Sequence, residues 1–132
     1  MQELQCIVVT PEKTVLDGEV DFVALTLYDG EIGIAPGRAP MIGRLGFGEM
    51  RITSGGQTER FYVEGGFVEV LGQAVSVLTN RAVPAEQLDE AAVSEKLATA
   101  RARPAHTPEL MTQRDRAVER NRAQLRVARR EE

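Results

Sequence analysis

The pattern of hydrophobic residues along the chain changes once, near Pro84. Before this point, short runs of alternating apolar and polar residues are separated by turn residues roughly every eight to twelve positions. This spacing predicts an all-β sandwich or flattened barrel of roughly eight to ten strands. After Pro84 no glycine remains, alanine and charged residues dominate, and the period becomes helical. We therefore predict a β domain at residues 1–84 and a helical hairpin domain at residues 85–132.

The predicted strands lie on both sides of a central segment, residues 28–48. In residues 19–27 both alternating sets are apolar, so this strand is predicted to lie under a second sheet. The pair Asp17 and Gly18 predicts a hairpin turn. The predicted strands outside the central segment are Leu4–Val9, 14–16, 19–27, 49–53, 58–63, Phe67–Leu71 and Ala74–Leu78.

The central segment contains too much glycine and proline for a helix and is predicted to be a rigid, strand-rich loop. Asp29, Glu31 and Arg38 are predicted to face outward. A rigid exposed loop more often presents a binding surface than a catalytic site, although closing the sandwich edge is an equally good reading. Its apolar residues are predicted to pack on the core: Ile32, Ile34, Met41, Ile42, Leu45 and Phe47.

Two helices are predicted beyond Pro84, with Pro104 ending the first. Thr107 is the predicted N-cap of the second helix, which continues to about residue 130. Helices joined by a loop of about four or five residues form an antiparallel hairpin. The apolar stripe on the second helix is thin, which predicts that the hairpin can leave the sandwich. The predicted apolar face of the first helix is Leu88, Ala91, Ala92, Glu95, Ala98 and Ala102, with Leu97 beside it. That of the second is Leu110, Ala117, Val118, Gln124, Leu125 and Ala128.

The net charge of −4 hides an asymmetry between the two parts of the chain. Residues 1–84 hold eleven acids and six bases, whereas residues 101–130 hold nine arginines and only three acids, a balance of +6. The cationic part is suited to an acidic partner. Nucleic acid is disfavoured because all aromatic residues precede residue 68, so stacking platforms are missing from the helices.

The residue types of known catalytic sites are sparse. Cys6 alternates with apolar neighbours and is predicted to be a small buried hydrophobe, and one cysteine with one histidine, His106, cannot form the usual zinc sites. There is no phosphate-binding glycine loop, and Glu64 with Glu69 is better read as a solvated strand face than as an acid/base pair. We therefore expect no enzyme activity, no metal, no signal peptide and no membrane span.

Several segments, taken in order, resemble the epsilon-subunit family of F-type ATP synthases. The resemblance covers almost the whole chain, and the ordered combination is more specific than any single piece. The segments are V-V-T-P-E-K at 8–13, D-G-E-I-G-I-A-P-G-R-A-P at 29–40, G-x-x-R-I at 48–52, G-G-F-V-E-V at 65–70, L-D-E-A at 88–91 and A-Q-L-R-V at 123–127.

The resemblance implies a sandwich of about ten strands, a C-terminal helical hairpin and a role in rotation. In that family the sandwich sits at the foot of the central stalk, where it binds the gamma subunit and the ring of c subunits. The hairpin can extend toward the catalytic beta and alpha subunits and restrain ATP hydrolysis. The implied location is peripheral, on the cytoplasmic face of the bacterial plasma membrane.

The same resemblance implies contact residues. The loop facing the c ring would carry Gly30 and Glu31 together with Arg38, Ala39 and Pro40, and Arg38 stands where the family usually has histidine. A permanent cation is therefore expected there in place of a pH-sensitive contact. Arg122 and Arg126 would approach the acidic segment of the catalytic beta subunits.

A nucleotide-sensing pattern of some family members, Ile/Leu-Asp-x-x-Arg-Ala, is only half present. Leu88 and Asp89 match, but Ala92 and Val93 replace the arginine and alanine. ATP would lose its charged partner, so we expect weak or no ATP binding and no cofactor. The alternative reading of the whole chain is a free-standing β-sandwich binding module with a basic helical tail for an acidic protein or nucleic acid.

Overall fold

A computed structural model of the protein describes residues 3–129. It contains ten strands in two five-stranded sheets, followed by two helices, which confirms the predicted fold class. The strands are β1 (Leu4–Val9), β2 (Thr14–Val20), β3 (Phe22–Leu27), β4 (Gly30–Ile34), β5 (Met41–Arg44), β6 (Phe47–Ser54), β7 (Gln57–Glu64), β8 (Phe67–Leu71), β9 (Ala74–Leu78) and β10 (Ala82–Pro84).

The two sheets enclose one hydrophobic core. The first sheet has the order β2-β1-β9-β8-β5 and the second has the order β10-β7-β6-β3-β4. Alternate residues of each strand point inward, so the core is made mainly of valine, leucine and isoleucine side chains. Cys6 is fully buried in this core, as predicted, and burial raises the pKa of its thiol to about 11.

The predicted hairpin turn at Asp17 and Gly18 is wrong. β2 runs straight through both residues, and Gly18 pairs with Cys6 of β1. The chain instead changes sheets at Asp21, whose carboxylate accepts a hydrogen bond of 2.9 Å from the backbone N–H of Gly55. An Asp-Gly pair favours a turn only when the flanking residues cannot extend a ladder, and here β1 offers that ladder.

The central segment forms β4, β5 and the connection between them, as its apolar residues predicted. Ile34 and Leu45 are fully buried, and Asp29 and Arg38 are exposed. Phe47 packs against Tyr62, Ala123 and Val127 under the second helix instead of the core, and Ile42 keeps 72% of its surface exposed. It lies on the outer side of β5, opposite Glu69 of β8, because the inward positions of β5 belong to Met41 and Gly43.

A short 3-10 helix, Ala85–Gln87, follows β10 and leads to α1 (Glu90–Ala102) and α2 (Pro108–Arg129). The Thr107 hydroxyl accepts a hydrogen bond of 3.1 Å from the backbone N–H of Leu110, which confirms the predicted cap. Near the other end of the hairpin, Arg129 of α2 pairs with Glu90 of α1, so the two helices are antiparallel.

The apolar face predicted for α1 is largely wrong, whereas the face predicted for α2 is buried at Gln124 and Leu125 and exposed only at Leu110. In α1 the buried residues are Val93, Leu97 and Ala100, whereas Ala91, Ala92, Glu95, Ala98 and Ala102 are exposed. In α2 the N-terminal half is mostly exposed, and burial concentrates in residues 121–127. This half of α2 lies between α1 and the second sheet, so it is covered on two sides and shows no single stripe.

Candidate functional site

The outer face of the first sheet carries an uncovered apolar row across its strands. Val9, Leu78 and Phe67 are directly opposite one another on β1, β9 and β8, and Arg44 of β5 continues the row. Phe67 and Leu78 keep 56% and 54% of their surface exposed. We call Val9, Leu78 and Phe67 the outer apolar row. Exposed apolar side chains that are contiguous across strands are typical of a protein contact surface.

The surroundings of the outer apolar row add polar contacts. The Arg44 guanidinium lies 5.6 Å from the centre of the exposed Tyr28 ring. A depression of about 640 Å³ beside the row is lined by Thr10, Gly66 and Asn80 as well as by the row itself. The row with its cation and depression has the mixed composition of an interface core and its rim.

The loop residues suggested by the resemblance lie along β4, the edge strand of the second sheet. Gly30, with a φ of +147°, and Glu31 begin the strand, and Arg38, Ala39 and Pro40 lie on the connection that follows it. All five are exposed. Arg38 folds back, and its guanidinium donates to the carbonyl of Gly33 at 3.4 Å.

The structure also places the two arginines of A-Q-L-R-V on one exposed face. Arg122 and Arg126 lie one turn apart on α2 and line, together with Arg101 and Arg129, a groove of about 400 Å³ between the helices. The guanidinium groups are suited to bind carboxylates in a defined orientation. This groove faces away from the sandwich-facing residues Ala123 and Val127.

The two residues that match the nucleotide-sensing pattern have structural roles here. Leu88 is half-buried and packs against the cluster of Tyr62, Ala123 and Val127. The Asp89 carboxylate accepts a hydrogen bond of 3.1 Å from the backbone N–H of Ala92 and so caps α1. Ala92 itself lines a groove of about 480 Å³ between the helices.

Sequence reasoning missed a polar network between the sandwich and α2. The carboxylate of Glu49, which is only 6% exposed, pairs with Arg60 at 2.5 Å and with Arg51 at 2.8 Å. The carboxylate of Glu49 raises the pKa of the Arg51 guanidinium. Arg51 also reaches Glu31 at 3.4 Å. The alternation of residues 49–53 gives no sign of this burial, because nothing local encodes the helix that covers Glu49.

A second polar group joins β7 to α2 at Arg120. Tyr62 is fully buried; its hydroxyl donates to Glu64 at 2.9 Å, and Glu64 also pairs with Arg120 of α2 at 3.4 Å. Burial, with the neighbouring Glu64 carboxylate, raises the pKa of the Tyr62 hydroxyl. The side-chain amide of Asn121 donates at 3.5 Å to the carbonyl of Lys96 in α1. The second half of α2 is therefore tied to both of its neighbours.

Within residues 3–129, no helix is both long and apolar enough to cross a bilayer. Nor does that range contain three or more histidine, cysteine or acidic side chains placed to hold a metal ion.

Residues 3–85 match the family model of the ATP synthase delta/epsilon chain β-sandwich domain, which covers more than half of the chain. The chain belongs to the ATP synthase delta/epsilon family. Its similarity to the ATP synthase epsilon chain of Rhodopirellula baltica is 50% identity over 126 residues, spanning 96% of this chain and 98% of that one. The epsilon chain of Carboxydothermus hydrogenoformans is 45% identical over 96 residues, spanning 73% and 72%.

The fold of this delta/epsilon family member is also found in solved assemblies. A chain of the OSCP/F1/c-ring structure of Euglena gracilis mitochondrial ATP synthase superposes with a TM-score of 0.85 at 22% identity, over 92% of this chain and 78% of that one. A chain of the central stalk/c-ring structure from Tetrahymena thermophila mitochondrial ATP synthase gives 0.76 at 12% identity, over 96% and 97%. At such identities the likeness establishes the fold.

Proposed function

We propose that this chain is a non-catalytic rotor subunit that couples proton translocation to ATP synthesis by joining the gamma subunit to the c ring. The observation that carries the proposal is the outer apolar row, an uncovered apolar strip on a sandwich whose other sheet is covered by its own helix. The similarity to relatives named ATP synthase epsilon chain supports an ATP synthase as the assembly that contains this chain. The location that follows is peripheral, at the cytoplasmic face of a bacterial plasma membrane.

The gamma subunit is the proposed occupant of the outer apolar row. Phe67 and Leu78 each retain about half of their surface for burial, and complete burial of such a side chain contributes about 1.5–3 kcal/mol. Arg44 and Asn80 at its border can supply the polar rim. A surface of this kind binds a preformed apolar partner and needs no catalytic group.

The c ring is the proposed partner of the loop at the edge of the second sheet. Gly30, Glu31, Arg38, Ala39 and Pro40 are exposed along or just beyond β4, and Glu31 and Arg38 present opposite charges there. Polar loops with both signs of charge would find complementary groups on this edge. Arg38 supplies a guanidinium, whose planar set of donors pairs well with carboxylate groups.

The beta and alpha subunits are the proposed partners of the cationic groove. Arg122 and Arg126 lie on an exposed face of α2, so they can reach an acidic segment once the hairpin moves. Bidentate pairing of these guanidinium groups with carboxylates would hold the catalytic head against rotation in the hydrolysis direction. In this way the hairpin would restrain ATP hydrolysis without an active site of its own.

A charge placed in the outer apolar row should abolish binding to the gamma subunit. Phe67→Glu with Leu78→Glu is expected to weaken binding by about 100-fold or more, because apolar contacts are lost and carboxylates must be desolvated. Binding is measured by pull-down of the full chain with a purified complex of alpha, beta and gamma subunits.

Met111→Glu is the matched control, since it charges an exposed apolar residue on the hairpin, 46% exposed, outside the row. It should bind like the wild type. Retention of gamma by the double variant would refute the assignment of this face. Failure of the wild-type chain to capture any ATP synthase subunit would instead favour a free-standing binding module.

ATP binding by the isolated chain should be weak. Ala92 stands where the nucleotide-sensing pattern has arginine, and the Asp89 carboxylate is already engaged as a helix cap. Isothermal titration calorimetry with ATP is expected to show no micromolar affinity. Ala92→Arg supplies the missing cation, and tighter binding in that variant would identify the cause. Micromolar binding by the wild type would contradict the prediction.

A further inference from the structure

The uncovered outer face of the first sheet carries a carboxylate near its centre. Glu69 of β8 lies between Phe67 and Leu71 along its own strand, and across the sheet it is opposite Ser76 of β9 and Ile42 of β5. Directly opposite and alternate residues share one face of a sheet, so all of them point outward. Leu71 keeps 63% of its surface exposed, and Ile42 and Phe67 are also exposed. Uncovered apolar side chains therefore flank Glu69 on three of its four sides.

The Glu69 carboxylate has no ion pair or side-chain hydrogen bond with any residue of the range 3–129. The outward cation on the neighbouring strand is Arg44, but its guanidinium lies over the ring of Tyr28. A carboxylate without a partner is well solvated while the face is open to water. Covering it without a counter-charge is costly. A partner that buries the apolar side chains around Glu69 must therefore also supply a group that pairs with it.

The edge strand β2 adds two more acids to the same face. Asp17 is opposite Ile7 of β1 and Glu19 is opposite Gln5, so both carboxylates lie on the outer side with Glu69. Arg44 is the one basic residue in the five strands of this sheet. A second copy of the chain would bring acids against acids, which disfavours a dimer through this face. The charges call for a basic partner.

We propose that the subunit covering this face places a lysine or arginine side chain on Glu69, and that this enclosed ion pair sets the alignment of the two subunits. The proposal rests on the proposed function, in which the gamma subunit occupies the outer apolar row. It adds the chemistry that gamma must present there, an apolar segment that carries a cation. Because apolar side chains around the pair exclude water, a misaligned partner would leave both charges desolvated and unpaired.

Two substitutions of Glu69 distinguish this ion pair from a purely apolar contact. Glu69→Leu enlarges the apolar face, so it would tighten binding of a partner that brings no cation. If a cation is present, Glu69→Leu and Glu69→Gln both leave it without a counter-charge. Each should then weaken binding at least about tenfold, mainly through faster dissociation. A biosensor with an immobilised complex of alpha, beta and gamma subunits measures affinity and dissociation rate for the full chain.

Glu59→Gln is the matched control, because it removes the same charge from an exposed position of β7 in the second sheet. Its affinity should stay within about twofold of the wild type. Arg44→Met examines whether Arg44 turns toward Glu69 when the face is covered. With a cation from the partner, the effects of Arg44→Met and Glu69→Gln should add.

Wild-type affinity of Glu69→Gln would overturn the ion pair, and so would unchanged or tighter binding by Glu69→Leu. A non-additive combination with Arg44→Met would also overturn it, because the carboxylate would then pair within the chain. In each of these cases a loss of binding by the Phe67 and Leu78 double variant would leave gamma on this face. A wild-type chain that binds no gamma subunit is a separate result, which removes the occupant itself and refutes the proposed function together with the pair.

Discussion

Replacing Gly66 with alanine is expected to destabilise the protein by about 3 kcal/mol or more. Gly66 has a φ of +103°, and a Cβ atom added to it would collide with the carbonyl oxygen of Leu78 and lie 2.8 Å from the Cα of Thr79. The obstacle is backbone on a neighbouring strand, which cannot rotate away. The Gly66 carbonyl also accepts a hydrogen bond of 2.8 Å from the N–H of Leu45. Any shift would therefore disturb β8 and β9 together with the bridge at Leu45.

The midpoint of urea unfolding measures this loss, and Gly72→Ala is the matched control. Gly72 also has a positive φ, +62°, but an added Cβ atom would meet open space. Its alanine variant should lose only about 1 kcal/mol, the ordinary cost of that conformation. The difference between the two variants isolates the steric contact with the neighbouring strand. Equal losses would show that the close approach at Gly66 can relax.

Removing residues 85–132 is expected to raise ATP hydrolysis by the assembled enzyme while leaving assembly through the sandwich intact. The reason is the loss of Arg122 and Arg126, each able to make a charge-assisted pair worth about 1.5–3 kcal/mol. An increase of about tenfold is expected if such a pair restrains rotation. Steady-state hydrolysis by the reconstituted F1 complex measures it.

Truncation alone does not isolate the effect of Arg122 and Arg126, because it also uncovers Tyr62, which is fully buried under α2. The full-length variant Arg122→Ala with Arg126→Ala keeps the docked surface and should also raise hydrolysis. Arg114→Ala with Arg116→Ala removes the same charge from the other half of α2 and should leave hydrolysis near the wild-type rate. Unchanged hydrolysis in both the truncated and the Arg122/Arg126 complexes would mean that this hairpin does not inhibit.

Strand prediction succeeded where a strand has one face on the core and turn residues at both of its ends. The predicted β1, β8 and β9 coincide with the observed strands, because each alternates cleanly between turn residues. β10 was missed because three residues ending in Pro84 carry no alternation. The turn predicted at Gly18 failed because local preference yielded to pairing with β1.

The contact surfaces were less predictable than the strands. Phe67 and Leu78 look like core residues in sequence, since the inward positions next to them are equally apolar, whereas the structure places both on the uncovered outer face. Conversely, the sequence gives no sign that Glu49 is buried, because the helix that covers it is distant in the sequence. Glu31, Arg38, Arg122 and Arg126 were proposed from family resemblance, and the structure contributes their exposure and neighbours.

The position of β1 in the first sheet sets the order in which a nascent chain can fold. β1 lies between β2 and β9, and it pairs in parallel with β9, where Gln5 meets Ala74. β2, the neighbour of β1 on one side, is synthesised directly after it. Ala74 of β9, on the other side, follows 69 positions after its partner Gln5. Until β9 leaves the ribosome, a strand destined for the sheet interior has one open edge. Closing so long a loop makes folding slow relative to a local meander. Before residue 78 emerges, the unpaired edge of β1 is therefore a place where the nascent chain can pair wrongly.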